Sequence, residues 1–395
     1  MTRLSEVAHY ASEKISVESI KLPEYITTDN LLQNKQGKTI AENLPKQKVT
    51  KFEKGDILVA NIRPYLKKIW QADSEGGASS DVLVLRPDEN IDPFFLYYVL
   101  TQDAFFEYVM RGSKGTKMPR GDKSQIMDFI LPDISMNEQV KIGEFLRNLD
   151  EKIDLNNQIN SQLEAMAKTL YDYWFVQFDF PDENGKPYKS SGGKMVYNDQ
   201  LKREIPEGWG VESLWESADF YNGLAMQKYR PKSENSPYLP VIKIREMMNG
   251  VSSSTEKARI DIPDEAKIKN GDILFSWSAT LEVKLWEGEI GALNQHIFKV
   301  TSEKYAKSFI YYELKRYLKV FKKIAELRKT TMGHITQNHL KQAYIAVPPL
   351  KIMAKLDSNL NPIISQRLKL GKENQELMKL RDWLLPMLMN GQIHI

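Results

Sequence analysis

Two segments of the sequence concentrate side chains that suit a nucleic-acid surface. The first covers residues 111–123, where five basic residues face only one acid, Asp122. The second covers residues 315–338, where a run of basic residues that faces only Glu326 is followed by Thr, His, Gln and Asn side chains. Basic side chains neutralise phosphates, while Thr, Gln, Asn, His and Arg can hydrogen-bond to base edges. The pattern predicts a surface that binds phosphates and also reads bases.

The candidate contacts form two sets, one in each half of the chain. The set in the first half is Arg63, Lys67, Lys68, Arg111, Ser113, Lys114, Thr116, Lys117, Arg120 and Lys123. The set in the second half is Lys228, Arg230, Lys243, Arg245, Arg328, Lys329, Thr330, Thr331, His334 and Gln337. Lysines on one amphipathic helix are ordinarily only a solvated face, but matching clusters in both halves favour nucleic acid. Because strand aromatics usually pack inward, we expect core roles for Tyr65, Trp70, Trp277 and Trp286.

Catalytic constellations are not recognisable in the sequence. It contains no G-x-x-x-x-G-K-[ST] loop for nucleotide phosphates, and its five histidines include no i,i+4 ligand pair. One arrangement resembles a metal-dependent nuclease: Asp133 followed by Asp150, Glu151 and Lys152. Such a site needs its carboxylates to converge on a cation, whereas these residues are spread along one predicted helix. We therefore expect no catalytic residue and no metal site in this chain.

The elements that must position these side chains occur twice. When the sequence is compared with itself at an offset of 214 to 216 residues, three motifs recur in the same order. They are Gly55–Leu58 with Gly271–Leu274, Tyr97-Tyr98 with Tyr311-Tyr312, and Ile130–Pro132 with Ala346–Pro348. The two halves are therefore expected to be duplicates with the same fold.

Each half ends in a long predicted helix, over residues 135–175 and 350–389. Ser135 and Glu138 have the spacing of a capping box at the start of the first helix. Apolar residues then recur at alternating steps of four and three, as in a coiled coil. The predicted seam residues are Leu149, Ile153, Asn160, Leu163, Leu170, Ile363, Leu370, Asn374, Leu377 and Leu384. Two helices of about 60 Å related by a two-fold axis would pack antiparallel and hold two domains at a fixed separation.

Three polar or helix-breaking residues interrupt this seam. Asn160 and Asn374 occupy the same repeat position, where an asparagine either is buried and fixes the helix register or faces solvent at an imperfect seam. Pro362 lies inside the second helix, which we expect to kink there or to begin anew.

The globular parts are predicted over residues 1–134 and 206–348. Both combine short apolar runs, such as 57–60, 82–85 and 273–277, with amphipathic helices over 93–110 and 306–326. Helical regions follow over 135–178 and 349–395. The segment 179–205 is rich in Asp, Gly, Lys and Ser and is expected to be a connector. The predicted fold class is α+β, with two similar domains joined by two long antiparallel helices in a pseudo-two-fold repeat.

Composition excludes several other classes of protein. A chain of 395 residues with 42% hydrophobic content can form more than one domain, and the net charge of +3 produces only a weak field if evenly spread. The absence of cysteine excludes disulfides and favours a reducing cytoplasm. Charged residues among the first twenty predict no signal peptide. The longest apolar run, Phe94–Leu100, is too short to cross a bilayer, so we expect no membrane association.

Four motifs resemble a known family. They are Leu163–Phe175, Phe178-Asp-Phe180, Ile205-Pro-Glu-Gly-Trp209 and Leu380–Gly391. Together with the duplicated plan, they resemble the specificity subunit of bacterial and archaeal type I restriction-modification systems over essentially the whole chain. The first half departs from the pattern because it lacks the Ile-Pro-x-x-Trp opening and begins with Thr2-Arg-Leu-Ser5.

The resemblance implies a noncatalytic subunit that binds double-stranded DNA. Residues 1–134 and 206–348 would be target-recognition domains, each reading one half of a bipartite, asymmetric target. The helices would set the spacer and dock two modification subunits, which methylate adenine N6, and restriction (translocase) subunits would join them. S-adenosylmethionine, ATP and Mg²⁺ would belong to those partners, with no cofactor in this chain. A DNA-independent coiled-coil scaffold and an autonomous metal-dependent nuclease are the alternatives.

Overall fold

The computed structural model describes residues 2–115, 117–252, 254–327 and 334–395. Contacts divide the chain into two compact units. Unit 1 joins both ends of the chain, Met1–Ile153 and Leu377–Ile395, and unit 2 is Asp154–Glu376. Both long helices contribute to both units, so the units differ from the consecutive segments expected from the sequence.

The described part of unit 1 contains eight strands, which are followed along the chain by helices. The strands are β1 (Ala8–Tyr10), β2 (Lys14–Ile15), β3 (Tyr25–Ile26), β4 (Val49–Phe52), β5 (Ile57–Ala60), β6 (Ile69–Gln71), β7 (Gly76–Ala78) and β8 (Val82–Pro87). The helices are α1 (Pro93–Thr101), α2 (Asp103–Arg111), α3 (Lys123–Met127), the first half of α4 (Met136–Tyr171) and the last part of α9 (Leu350–Met389).

The main sheet of unit 1 is antiparallel, in the order β1-β8-β5-β6. Strand β5 is buried along its whole length, as its continuous apolar sequence predicts. Its alternate residues face two cores. Ile57 and Val59 pack with Phe95 of α1, whereas Leu58 packs with Phe52 of the second sheet. Helices therefore cover one face of the main sheet and strands cover the other.

The second sheet of unit 1 has the order β2-β4-β7-β3, with β3 parallel to β7. Strand β7 begins with two glycines because no side chain fits there. A Cβ at Gly76 would lie 2.2 Å from the Glu24 carbonyl oxygen, and one at Gly77 would lie 2.4 Å from a methyl carbon of Val49. The close packing of this sheet thus requires both glycines.

The described part of unit 2 contains twelve strands and the remaining helices. The strands are β9 (Met195–Asn198), β10 (Arg203–Pro206), β11 (Gly210–Ser213), β12 (Asp219–Asn222), β13 (Tyr238–Ile242), β14 (Lys257–Arg259), β15 (Lys267–Ile268), β16 (Ile273–Ser276), β17 (Glu282–Leu285), β18 (Gly291–Leu293), β19 (Ile297–Thr301) and β20 (Tyr344–Val347). The helices are α5 (Leu214–Ser217), α6 (Ile244–Asn249), α7 (Lys307–Leu327), α8 (Gln337–Lys341) and most of α9 (Leu350–Met389), with the second half of α4.

The main sheet of unit 2 has the order β12-β19-β16-β17, which matches β1-β8-β5-β6 strand for strand. A second sheet, β14-β13-β18-β15, again contains one parallel pair, β13 with β18. Strands β11 and β20 form a separate antiparallel pair. In unit 1 the corresponding contact is a single bridge between Arg3 and Ile130. The duplication predicted from the sequence is present in the fold.

The segment 179–205 is more ordered than the connector expected from its composition. It contains the β9–β10 hairpin, paired from Arg203 with Asn198 to Pro206 with Met195. Phe180 near the start of this segment, and Phe178 and Trp209 on either side of it, are buried in the core of unit 2. These aromatic side chains anchor a polar sequence that has no apolar periodicity of its own.

Helices α4 and α9 run antiparallel in each unit. In unit 1, Ile142 and Leu146 of α4 share a core with Leu388 of α9. In unit 2, Asn156 contacts Asn374 and Glu164 contacts Arg367, so partner numbers fall as residue numbers rise. The capping box at the start of α4 is present, since the Glu138 amide donates to the Ser135 hydroxyl at 3.4 Å.

Two expectations about helices need correction. The helix expected over 93–110 is two helices, because Gln102 between α1 and α2 has an extended backbone. At Pro362 we expected either a kink or a new helix start, and the new start is wrong, since α9 is continuous from Leu350 to Met389. Pro362 and Ser358, whose carbonyl the proline leaves unbonded, are both exposed, so water can satisfy that group.

Of the helices in the described ranges, none combines the length and the apolarity needed to cross a membrane.

Candidate nucleic-acid interface

Three segments of unit 1 meet where β5 ends and β8 begins. The Asn61 amide donates to the Asp81 carbonyl at 2.9 Å, and the Gly121 amide donates to the Asn61 carbonyl at 3.1 Å. The Arg63 amide donates to the Pro119 carbonyl at 2.8 Å. Arg63 adopts a left-handed conformation with φ 52°, which turns the chain sharply after the strand. We call residues 61–68, 79–81, 113–115 and 117–121 the strand-end surface of unit 1.

Unit 2 repeats two of these backbone hydrogen bonds. The Trp277 amide donates to the His296 carbonyl at 3.4 Å, and the Ile335 amide donates to the Trp277 carbonyl at 2.8 Å. Ser278 forms a bridge with His334, as Ile62 does with Arg120. Ala279, the counterpart of Arg63, is also left-handed, with φ 58°. We call residues 277–281, 294–296 and 334–337 the strand-end surface of unit 2.

The strand-end surface of unit 1 and its borders carry most of the cations expected in the first half of the chain. Arg63, Lys114, Lys117 and Arg120 are exposed. Two of them form ion pairs with acidic residues, since Arg120 is 3.0 Å from Asp81 and Lys114 is 3.1 Å from Asp122. Hydrogen bonding to Lys114, aided by two backbone amides, lowers the pKa of Asp122. The remaining candidates nearby are Arg111 at the end of α2, Ser113, whose hydroxyl donates to the Met110 carbonyl, and Lys123 at the start of α3.

Lys67 and Lys68, which were also candidates, have partners inside unit 1. The Lys67 ammonium is 2.8 Å from Asp103, which also binds Lys35 at 2.9 Å. The Lys68 ammonium donates to the Thr28 carbonyl, and burial lowers the pKa of Lys68. These contacts tie the loop after β5 to α2 and to the loop after β3, which is a structural role.

The candidates of unit 2 lie in two separate places. His334 and Gln337 are both exposed on the strand-end surface, with Gln337 at the first position of α8. The other candidates, Lys228, Arg230, Lys243 and Arg245, lie around the second sheet. The candidates Arg328, Lys329, Thr330 and Thr331, like Thr116 in unit 1, fall outside the described residues.

The basic residues near the second sheet surround acids. Lys243 is 2.5 Å from Glu256, and Arg245 is 2.6 Å from Glu246, which is almost fully buried. The pKa of Glu256 is lowered first by its hydrogen bond to Lys243 and further by the charges of Arg230 and Arg245. Arg245 therefore compensates a buried carboxylate, whereas Lys228 and Arg230 are exposed.

The seam candidates line the contact between α4 and α9 to different depths. Ile153, Leu370 and Asn374 are buried. Asn374 accepts a hydrogen bond from Asn156 at 2.8 Å and donates one to Asn157 at 2.9 Å. The half-buried candidates are Leu149, Asn160, Leu163, Leu170, Ile363, Leu377 and Leu384. The repeated asparagines were expected either to be buried or to face solvent, and Asn374 is buried.

The sequence reasoning missed Asp81 and His296, and it was wrong about Tyr65, whereas Trp277 packs against the core of unit 2 as expected. Tyr65 was expected in the core but is 51% exposed. Trp277 is only half-buried, and it contacts His296 with ring centroids 5.8 Å apart. A signal was available, because Asp81 and His296 are 215 residues apart and both precede a strand of the repeated sheet. Neither belongs to a run of basic residues, which was the pattern used.

The nuclease-like carboxylates do not converge. Asp150 accepts a hydrogen bond from the Tyr98 hydroxyl at 2.7 Å and lies 2.6 Å from Arg381, so it serves the packing of unit 1. Within the described part of the chain, no group of three or more His, Asp or Glu side chains is placed to hold a metal ion.

Comparison with known proteins identifies the family. The family model described as the type I restriction modification DNA specificity domain matches the chain twice, over residues 2–165 and 206–376. The specificity subunit of type I restriction enzyme MjaIX from Methanocaldococcus jannaschii is 26% identical over 353 residues, which is 87% of this chain and 79% of that protein. The specificity subunit of type I restriction enzyme HindI from Haemophilus influenzae is 25% identical and covers 99% of this chain and 98% of that protein.

A solved structure has the same fold. The crystal structure of a type I restriction-modification system S subunit from M. genitalium aligns with a TM-score of 0.59 at 15% identity, over 98% of this chain and 95% of that one. Both matches to the family model coincide with the duplication seen in the two main sheets. The chain therefore belongs to the family of type I restriction-modification specificity subunits, the noncatalytic subunits that recognise the DNA target.

Proposed function

We propose that this subunit reads a bipartite, asymmetric target in double-stranded DNA, with one half of the target contacted by each unit. The observation that carries the proposal is the repeated strand-end surface. The two surfaces share their backbone contacts, yet they present different side chains. Two related surfaces in one chain suit two stretches of one duplex, and different side chains suit two unlike half-targets.

Phosphate contacts would come from the exposed cations that border these surfaces. Arg63 and Lys117 are exposed in unit 1, and Arg111 and Lys123 flank them. In unit 2 exposed Lys319 lies on α7, and Lys322 of the same helix is 3.2 Å from Glu282 at the start of β17. Cations placed around a base-reading site fix the position of a protein on DNA without reading sequence.

The long helices have a different role in this proposal. They would set the number of base pairs between the half-targets and dock two modification subunits that methylate adenine N6, with restriction subunits joining the assembly. S-adenosylmethionine, ATP and Mg²⁺ would be bound by those partners. Support comes from the continuity of α4 and α9 and from their exposed apolar residues, which include Trp383 at 59% exposure and Met166 at 53%.

Methylome sequencing tests the proposal directly. A host that carries the full chain with its modification subunits should show adenine methylation at one split motif, with two defined parts and an undefined spacer. A continuous palindromic motif would contradict the proposal. The purified chain alone, incubated with Mg²⁺ or Mn²⁺, should leave plasmid DNA intact, because nicking would support the nuclease alternative.

A domain exchange separates the two halves. Replacing residues 206–348 with those of another family member should change one half of the motif and leave the other half and the spacer as they were. Exchange of 1–134 is the matched control and should change the opposite half. If either exchange changed both halves, the proposed division of labour would be wrong.

A further inference from the structure

The repeated main sheets are alike at one end and different at the other. Before β5, the Asp56 carboxylate accepts a hydrogen bond from the Glu53 amide at 2.8 Å, and before β16 Asp272 accepts one from the Lys269 amide at 2.9 Å. This turn is therefore preserved in sequence and in contacts. At the opposite end of the same strands, the backbone contacts persist but the side chains change.

Backbone contacts define which residues correspond at the changed end. They pair Asp81 with His296 and Arg120 with His334, because each pair occupies the same position in the same set of hydrogen bonds and bridges. Asn61 corresponds to Trp277 in the same way. A charged acid–base pair in unit 1 thus stands where unit 2 presents two imidazole side chains, and the indole of Trp277 stands in place of the Asn61 side chain.

The unit 1 pair is available to a ligand. The side chains of Arg120 and Asp81 are 58% and 34% exposed, and they lie 3.0 Å apart. Ion pairs at such exposed positions contribute little to stability, so DNA can separate them at low cost. A guanidinium donates to guanine in the major groove, and a carboxylate accepts from the cytosine amino group. Together the two side chains suit a G·C base pair.

The unit 2 residues are held for a different type of contact. The Trp277 indole N–H donates to the Asn222 side chain at 3.0 Å, and its ring also contacts Phe298, which fixes the plane of the indole. His296 is exposed beside that ring, with the Gln295 amide 3.4 Å from its Nε2 atom. Imidazole supplies a donor and an acceptor without the fixed charges of the unit 1 pair.

We propose that Asp81 with Arg120, and His296 with Trp277, are the residues that determine which bases units 1 and 2 accept. The inference rests on the proposed function, since it assigns the base-reading groups of the two surfaces. It predicts that specificity differs between the halves because the repeat diverges at these positions while its framework is kept.

The test compares methylomes of hosts that carry the full chain with its modification subunits. We expect Asp81→Asn to relax one base position in one half of the motif, with discrimination at that position reduced by about 5- to 150-fold. His296→Ala should alter the other half only. The matched controls are Asp88→Asn, at the opposite end of β8, and Glu303→Ala, beyond the opposite end of β19. Both controls should keep the wild-type motif.

Second variants guard against loss of the complex. If Asp81→Asn gives no methylation, Arg120→Gln is measured for unit 1. If His296→Ala gives none, Trp277→Phe is measured for unit 2. Loss of all methylation in both variants of a unit overturns the inference for that unit. An unchanged motif with normal methylation also overturns it. In that case, if the wild type still methylates a two-part motif, the proposed function is supported and only this inference is wrong. If the wild type methylates no two-part motif, both the proposed function and this inference are wrong.

Discussion

Asp150 lies between a tyrosine hydroxyl and a guanidinium in unit 1. Burial of Arg381 disfavours its charged form, but Asp150 and Asp382 outweigh that effect and raise the pKa of Arg381. The same carboxylate adds to the effect of burial in raising the pKa of Tyr98. The three side chains therefore form a partly buried network that joins α1, α4 and α9.

Removal of the Arg381 guanidinium should lower the stability of unit 1. We expect Arg381→Met to lower the free energy of unfolding by about 1–3 kcal/mol, because Asp150 is left partly buried without its partner. Urea denaturation measures the change. The double variant Arg381→Met with Asp150→Asn should recover most of the loss, and a double variant as unstable as the single one would contradict this account.

Glu287 gives a pH dependence of the opposite sign from that of most paired carboxylates. Burial raises its pKa above the ordinary 4.5, while Lys284 and Arg367 oppose the shift and Glu164 adds to it. The folded state therefore binds this proton more tightly than the unfolded state does. The contribution of Glu287 to stability is largest below the unfolded pKa, and it falls as the pH rises towards the folded pKa.

Glu287→Gln removes this titration. We expect the variant to have a higher melting temperature than the wild type at about pH 7, with the difference shrinking towards about pH 4. Thermal unfolding across that range measures the effect, and Glu303→Gln, at an exposed position, is the control. A variant less stable than the wild type at neutral pH would show that Lys284 and Arg367 outweigh burial.

At the scale of elements, the contact between α4 and α9 contains a buried amide network. The Asn156 amide nitrogen donates to Asn374 at 2.8 Å and to Glu373 at 3.2 Å, and Asn156 is fully buried. Buried amides at a helix seam lower stability relative to apolar residues but select one register. The network therefore fixes how the two helices align in unit 2.

Substitutions at this network should separate stability from alignment. We expect Asn156→Ala to lower the free energy of unfolding by about 1–3 kcal/mol, because Asn374 loses a buried donor. The double variant Asn156→Leu with Asn374→Leu should be less destabilised. Denaturant unfolding measures both, with exposed Asn359→Ala as the control. A double variant less stable than Asn156→Ala would contradict this account, because it would mean that the buried amides stabilise the protein more than apolar residues do.

Elements with strong periodicity or local capping could be predicted from the sequence. Strand β5 is a continuous apolar run and β16 is apolar up to its last residue, Ser276, because both strands are buried on both faces. The start of α4 follows from the local chemistry of Ser135 and Glu138. The break at Gln102 was not predicted, although the polar triplet Thr101-Gln102-Asp103 interrupts the apolar pattern there.

The candidate site was predictable only in part, for a related reason. Runs of basic residues are visible in a sequence, and Arg63, Lys114 and Arg120 do lie on one surface of unit 1. The partners that Lys67 and Lys68 find in Asp103 and Thr28 depend on long-range folding, so their internal roles were not predictable. Whether these cations contact DNA remains a prediction.

For the whole molecule, DNA binding should depend on salt in proportion to the number of phosphates that the protein neutralises. We expect Arg63→Gln with Lys117→Gln to weaken binding at low salt and to reduce the slope of log Kobs against log salt by about 0.9 for each phosphate left without its cation. Titrations of a labelled target duplex at several salt concentrations measure the slope. Lys194→Gln is the control, because exposed Lys194 pairs with Glu207 in the β9–β10 segment. An unchanged slope would place these phosphate-binding cations elsewhere.

The use of both ends of the chain in unit 1 affects the order in which the molecule folds. Leu385, Leu388 and Met389 belong to the same core as Leu4, Phe95 and Leu146. During synthesis the ribosome completes all of unit 2 at Glu376, before these three residues have been made. Domains usually fold in order from the N-terminus. Here the N-terminal unit finishes its core last, and a chain released early at residue 376 would carry a complete second unit beside an unfinished first one.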